Sequence, residues 1–172
     1  GFIRASIQHL LPPEEANLLK AHAFDAFEHL NPVRSSQDSE VLRGVLAQAE
    51  LLRESIYSCI ARASREGIGL VIEGSHLMAD TVDVQRVDDV FLCVLDVPFR
   101  DQLVQRALSQ NHSKRQLSEN QLCRLLELQD TLVDRAHKAG VPVVVNRKLE
   151  ETVKDIANLI TNNKTVVAGK DV

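Results

Sequence analysis

The sequence predicts an α/β fold built on a parallel sheet, and two patterns carry that expectation. Three short continuous apolar runs, Leu70–Ile72, Val90–Leu95 and Val141–Val145, read as strands covered on both faces, because a strand with one wet face would alternate. Around and between them, apolar residues recur every three or four positions, the spacing of amphipathic helices. Alternation of the two kinds implies parallel strands joined by right-handed helical crossovers.

The elements follow in order. Ala16, Leu19, Ala23, Phe27 and Leu30 predict one helix over Pro12–Leu30, opened by Pro12-Pro13-Glu14-Glu15 and closed by Asn31-Pro32. After the polar loop Ser35–Ser39, a long helix from about Asp38 to Glu66 carries Leu42, Leu46, Ala49, Leu52, Ile56 and Ile60 on one face. Gly67 and Gly69 stop it ahead of the first apolar run. A further helix spans Ser118–Ala139, ending in Lys138-Ala139-Gly140 as a helix C-terminus should. The last helix, Leu149–Ile160, precedes a polar tail over 161–172, so residues 1–160 read as a single domain.

Composition narrows the function classes. An apolar fraction of 44% and a charged fraction of 26% are ordinary for a globular protein. Lys plus Arg number 20 against 24 Asp plus Glu, a net charge of −4 that argues against a nucleic-acid scaffold. Five Phe, one Tyr and no Trp offer no evident base-stacking platform. The longest apolar run, Val90–Leu95, falls far short of the ~20 residues that span a bilayer, and no signal-peptide pattern opens the chain. Cys59, Cys93 and Cys123 are widely spaced and odd in number, and read as buried free thiols. A cytoplasmic protein with a small-molecule substrate, and neither nucleic acid nor membrane as partner, is the resulting expectation.

Ligands of open parallel sheets bind beyond the carboxyl ends of the strands. That rule singles out Glu73-Gly74-Ser75-His76, Asp96-Val97-Pro98-Phe99-Arg100 and Asn146-Arg147-Lys148. A carboxylate directly after a buried strand occupies a Walker-B position, where it helps hold nucleotide-bound magnesium. A plain strand-ending Glu-Gly turn would look the same. Arg100, Arg106, Lys114 and Arg115, with His112, crowd around the polar stretch Ser109–Ser113. Planar, permanently charged guanidinium groups suit phosphate oxygens, and a loop bearing them could close over a transferring phosphoryl group. The alternative is a solvated charged helix and loop. His9, His22, His29 and His137 share no ligand spacing and read as surface or core histidines.

Leu70-Val71-Ile72-Glu73-Gly74-Ser75-His76-Leu77 resembles the I-I-E-G-V-H-L segment of the 2-phosphoglycerate kinases, P-loop kinases of the nucleoside-monophosphate-kinase type. Gly1-Phe2-Ile3-Arg4 is similar to the D-x-I-R segment after that family's second strand. Gln121 to Asn146, with Leu128-Gln129-Asp130 and Gly140–Asn146, resembles its last long helix and strand, and Glu150-Glu151-Thr152 continues the likeness.

The resemblance implies a P-loop NTPase-like three-layer sandwich and phosphoryl transfer from ATP, with Mg2+, to a phosphorylated hydroxy acid such as 2-phosphoglycerate. Within it, Glu73 would serve the magnesium shell and Arg106 and Arg115 would be catalytic lid donors. Arg4 and His76 would hold the acceptor, and Lys114 and Asn146 the nucleotide. One departure matters. The family's G-x-x-G-x-G-K-[ST] loop is absent from these 172 residues, and with it the amides, lysine and hydroxyl that cradle phosphates and magnesium. The expectation is a truncated chain lacking the first strands and inactive by itself. A kinase with a different acceptor, or a non-catalytic nucleotide-binding or interaction module that has lost its loop, are the alternatives.

Overall fold

The computed structural model describes residues 2–32, 37–78, 81–82, 90–109 and 116–168. The order is α1 (Phe2–Ile7), α2 (Pro13–Lys20), a 3-10 helix (Ala23–His29), α3 (Glu40–Glu66), β1 (Val94–Asp96), α4 (Arg100–Ala107), α5 (Glu119–Lys138), β2 (Val143–Val145) and α6 (Leu149–Ala168). Helices dominate an α/β fold whose sheet, among the described residues, is a parallel pair of strands. Val94, Leu95 and Asp96 face Val143, Val144 and Val145 in register. The chain passes from β1 to β2 through α4 and α5, and α5 packs on both strands.

Local capping sets the helix limits. Ser39 caps α3, its hydroxyl accepting from Leu42 N at 3.2 Å. Ser118 and Gln121 close a reciprocal capping box at α5: Gln121 N donates to Ser118 Oγ at 3.3 Å and Ser118 N to Gln121 Oε1 at 3.0 Å. Gly67 ends α3 at φ +64°, a left-handed turn that costs a glycine nothing.

α3 is the spine. Its first half puts Val41, Leu42, Val45 and Ala49 against Phe24 of the 3-10 helix, Met78 and Leu128 of α5. Its second half puts Leu52 and Ile56 against Leu19 of α2, with Ile3 and Ile7 of α1 alongside. Full burial of a Val, Leu, Phe or Met side chain here stabilises the fold by ~1.5–3 kcal/mol. A second tie joins the 3-10 helix to α5. Asp25 accepts from Gln121 Nε2 at 2.6 Å and Arg124 Nη1 at 2.7 Å, while Arg124 also reaches Glu28 at 2.6 Å and lies over the Phe27 ring.

Several expectations are corrected. The single helix over Pro12–Leu30 breaks into α2 and a 3-10 helix. Ala21 and His22 turn extended, at ψ 155° and 147°, and the carbonyls this releases find side-chain donors instead. The first apolar run is not a buried strand. Val71 is 93% exposed, Leu70 is exposed, and residues 68–73 have no strand assignment. Only Ile72 turns inward, onto the Leu19–Leu52–Ile56 cluster. A continuous apolar run becomes an interior strand only where a neighbouring ladder receives it, and β1 and β2 pair with each other alone among the described residues. The other two runs keep three paired residues each and are not covered on both faces, since Leu95 and Val145 are exposed. The thiols are free, but none is buried: Cys59 and Cys93 are half-buried and Cys123 is exposed. α6 runs past Ile160 to Ala168. Among the described residues no helix is long and apolar enough to cross a membrane.

The crossing of α3 over the 3-10 helix rests on Gly44. A Cβ there would overlap Phe27 N and press on the Ala26 carbonyl carbon at 3.0 Å, both of them backbone that cannot swing aside. Gly44→Ala is expected to destabilise the chain by ~1–3 kcal/mol despite alanine's better helix propensity. Denaturant midpoints check this, and an unchanged or raised midpoint would show that the two backbones are not held in contact.

Candidate functional site

Two groups of the sequence-selected residues come together in different places. The first surrounds Gln48, which is fully buried on the apolar face of α3. Its Nε2 donates to Leu18 O at 2.5 Å and Ala21 O at 3.2 Å, the carbonyls at the break after α2. Its Oε1 lies 2.6 Å from His76 Nε2. Arg4, in the short helix α1, donates from Nη1 to the same Ala21 carbonyl at 3.0 Å. Arg4 and His76, selected from sequence segments far apart, are thus joined through one side chain and one carbonyl. A shallow recess beside them is lined by Arg53, Tyr57, His76 and Thr81 on an apolar floor of Ala49, Ile56 and Val82.

Burial first, and the Arg4 charge second, lower the His76 pKa from 6.5 to about 4. The imidazole is therefore neutral at physiological pH. Glu73 and Gly74 precede it on a turn closed by Leu77 N donating to Gly74 O at 3.2 Å. The Glu73 carboxylate is exposed and makes no hydrogen bond or ion pair among the described residues. It is a solvated anion at the lip of the cluster rather than part of an ion-pair network.

The second group lies beyond the carboxyl ends of the strands. Asn146 N donates to Asp96 O at 2.7 Å, carrying the β1–β2 ladder one step further. The amide of Gln129 on α5 then acts as a rung of its own: Val97 N donates to Oε1 at 3.2 Å and Nε2 donates to Val97 O at 3.0 Å. The Asn146 side-chain oxygen accepts from Thr152 Oγ1 at 3.3 Å. Arg106, in the last turn of α4, donates from Nη2 to Arg147 O at 3.0 Å, so it stands one residue from Asn146. Arg100 pairs across to Asp130 on the surface. Lys114, Arg115 and His112, and all but the first residue of the Ser109–Ser113 loop, lie outside the described residues.

Sequence reasoning missed Gln48, Gln129 and the Asp25–Arg124 pair. Only Gln48 left a signal: it interrupts the apolar stripe of α3 between Val45 and Leu52, where a polar residue needs a buried partner. Among the described residues no group of three or more His, Cys, Asp or Glu side chains is placed to hold a metal ion. A lone carboxylate such as Glu73 suits magnesium that keeps its waters and takes phosphate oxygens, the usual habit of that ion.

The chain is similar in sequence to archaeal 2-phosphoglycerate kinases. It is 32% identical to that of Pyrococcus horikoshii over 157 residues, 90% of this chain and 51% of that protein. It is 31% identical to that of Thermococcus kodakarensis over 128 residues, 72% of this chain and 43% of that protein. The Methanothermobacter thermautotrophicus protein is 25% identical over 176 residues, covering 97% of this chain and 56% of its own length. The chain therefore spans about half the length of the curated relatives it matches. No family model matches the chain, and no solved structure matches it significantly.

The depressed His76 pKa has a measurable consequence. The folded state favours the neutral ring, whereas the unfolded chain takes up a proton near pH 6.5. The stabilisation from His76 is thus complete above that value and is lost as the pH falls through about 4. Unfolding midpoints of the chain and of His76→Asn, measured from neutral pH down to pH 4, should converge as the solution becomes more acid. A difference that does not change with pH would contradict the half-buried, neutral histidine.

Proposed function

We propose that this homologue of the archaeal 2-phosphoglycerate kinases is part of an ATP-dependent small-molecule kinase of P-loop type. Its acceptor would be a phosphorylated hydroxy acid such as 2-phosphoglycerate. The observation that carries this reading is the sequence similarity over 90% of the chain, running through the Glu73-Gly74-Ser75-His76 segment. The α/β architecture with a parallel strand pair is compatible with the three-layer sandwich of P-loop proteins. Residues 1–160 would belong to one such domain, which α6 continues to Ala168.

The proposed roles divide by position. Glu73, exposed and unpaired among the described residues, would serve the magnesium shell through its waters. Arg4 and His76 lie on one part-buried network centred on Gln48 and would face the acceptor. Asn146, with Lys114, would meet the nucleotide. Arg106 and Arg115 would neutralise the transferring phosphoryl group as lid donors, and Arg106 would exchange its bond to Arg147 O for a phosphate oxygen. ATP supplies the phosphoryl group and Mg2+ bridges its phosphates; the protein's part is positioning and charge neutralisation.

Two measurements test the reading. In the whole protein, Glu73→Gln is expected to lower turnover by roughly 10²-fold or more, in the range seen when a positioned charge is removed. The fold should not suffer, because the carboxylate is solvated. Near-native turnover would return Glu73 to a plain turn residue. For the 172 residues alone, calorimetric titration with Mg-ATP should give neither micromolar binding nor turnover. Most triphosphate affinity in P-loop enzymes comes from loop amides, a helix N-terminus and the loop lysine, and that motif is absent from this sequence. Tight binding by the chain alone would mean that other residues build the nucleotide site. A whole protein that binds nucleotide but transfers no phosphate would favour the non-catalytic module.

A further inference from the structure

We propose that Gln48 is a positioning residue that fixes His76 as the Nε2–H tautomer and so presents Nδ1 as a hydrogen-bond acceptor for a hydroxyl of the bound small molecule. The argument begins at the amide. Gln48 is fully buried, and one end of its carboxamide lies 2.5 Å from Leu18 O and 3.2 Å from Ala21 O. Carbonyl oxygens only accept, so the NH2 group must occupy that end. The other end is then the oxygen, and it too only accepts. His76 Nε2, 2.6 Å from it, must therefore be the donor. A neutral imidazole carries one N–H, which leaves Nδ1 with a lone pair.

The placement of Nδ1 gives that lone pair a use. A Cβ built on Gly74 would stand 3.7 Å from it, so Nδ1 faces the turn that carries Glu73, where glycine leaves room. Among the described residues Nδ1 has no hydrogen-bond partner. An unprotonated ring nitrogen offers a lone pair and no proton, so it will not take an anion; it suits a neutral O–H donor. A hydroxyl-bearing organic anion fits that combination, its hydroxyl on Nδ1 and its charge held elsewhere. This part of the inference rests on the proposed kinase reading, whereas the tautomer does not.

Nitrogen-resolved NMR of the histidine rings in the chain tests the tautomer directly. At neutral pH His76 is expected as the neutral Nε2–H form, favoured roughly fivefold or more, the ratio a hydrogen bond of typical net strength provides. Finding the Nδ1–H form would overturn the proposal without any variant. In Gln48→Met, which keeps the volume and removes the amide, the ratio should fall toward that of free histidine; an unchanged ratio would overturn the role of Gln48. The ligand half is read by titrating the chain with 2-phosphoglycerate and with 2-phospholactate, which lacks the hydroxyl. A shift of the Nδ1 resonance with the first and not the second supports the contact; equal shifts, or none, overturn it. A separate assay of phosphate transfer by the whole protein distinguishes this from failure of the kinase reading, because the tautomer would stand even if no transfer occurred.

Discussion

The structure depends on one buried carboxamide. A polar side chain with no exposed surface costs ~1–3 kcal/mol for each group left without a partner, so Gln48 is tolerable only where all its groups are engaged. It stands on the core face of the long helix α3, and its partners come from two other parts of the chain: the carbonyls at the break after α2, and the imidazole of His76. Those partners fix where α2 must stop, how far the 3-10 helix can slide along α3, and where the turn after Glu73 must return. The Leu18 carbonyl would be stranded without it, since the extended backbone at Ala21 and His22 offers no helical donor, and Ala21 O would keep only its bond from Arg4. A single amide thereby replaces a missing helix turn and anchors a loop.

How far the fold was legible follows from where each signal lives. Helix α5 could be read because everything that sets it is local: Ser118 and Gln121 cap one end and basic residues crowd the other. α3 was equally plain from its apolar stripe and Gly67. The break inside Pro12–Leu30 was not legible, because the spacing of Ala16, Leu19, Ala23 and Phe27 survives a change from α to 3-10 winding, and the donor that permits it lies thirty positions away at Gln48. The apolar run at Leu70–Ile72 misled for the opposite reason. Its composition suits a strand, but a strand is a relation between segments, and no segment pairs with it among the described residues.

The candidate site divides along the same line. Glu73, His76 and Arg4 were found from short motifs, and the geometry adds how Arg4 and His76 are tied together. Asn146 was found from its place after an apolar run. Of the residues that orient these groups, Gln129 was invisible and Gln48 showed only as a polar break in the stripe of α3, because both act on backbone and side chains brought near only by folding. Asp25 is a similar case: nothing in its helix announces that Gln121 and Arg124, about a hundred residues on, will close around it. Motifs reveal groups that meet a ligand, and seldom the ones that hold those groups still.

The sheet sets the remaining constraint. Two parallel strands of three residues are too little to stand alone, since small strand pairs are marginal in water. Here α5 supplies what extra strands would: it covers the pair, and its Gln129 amide makes two hydrogen bonds to Val97 where the ladder ends. The exposed side chains of Leu95, Val145, Ile68 and Val71 show that this support does not bury the apolar surface which the strands and the 68–73 segment carry. That surface lies on the segment before the turn with Glu73 and on β1 and β2, beyond whose carboxyl ends the sheet rule places ligands. A phosphoryl-transfer site needs rigid walls, because its catalysis is positioning and charge placed in advance. Under the proposed function, the Gln48–His76–Arg4 network, anchored on the buried Gln48, provides such rigidity on the acceptor side. The opposite wall, where phosphates must be cradled, is the part that no motif in these 172 residues supplies.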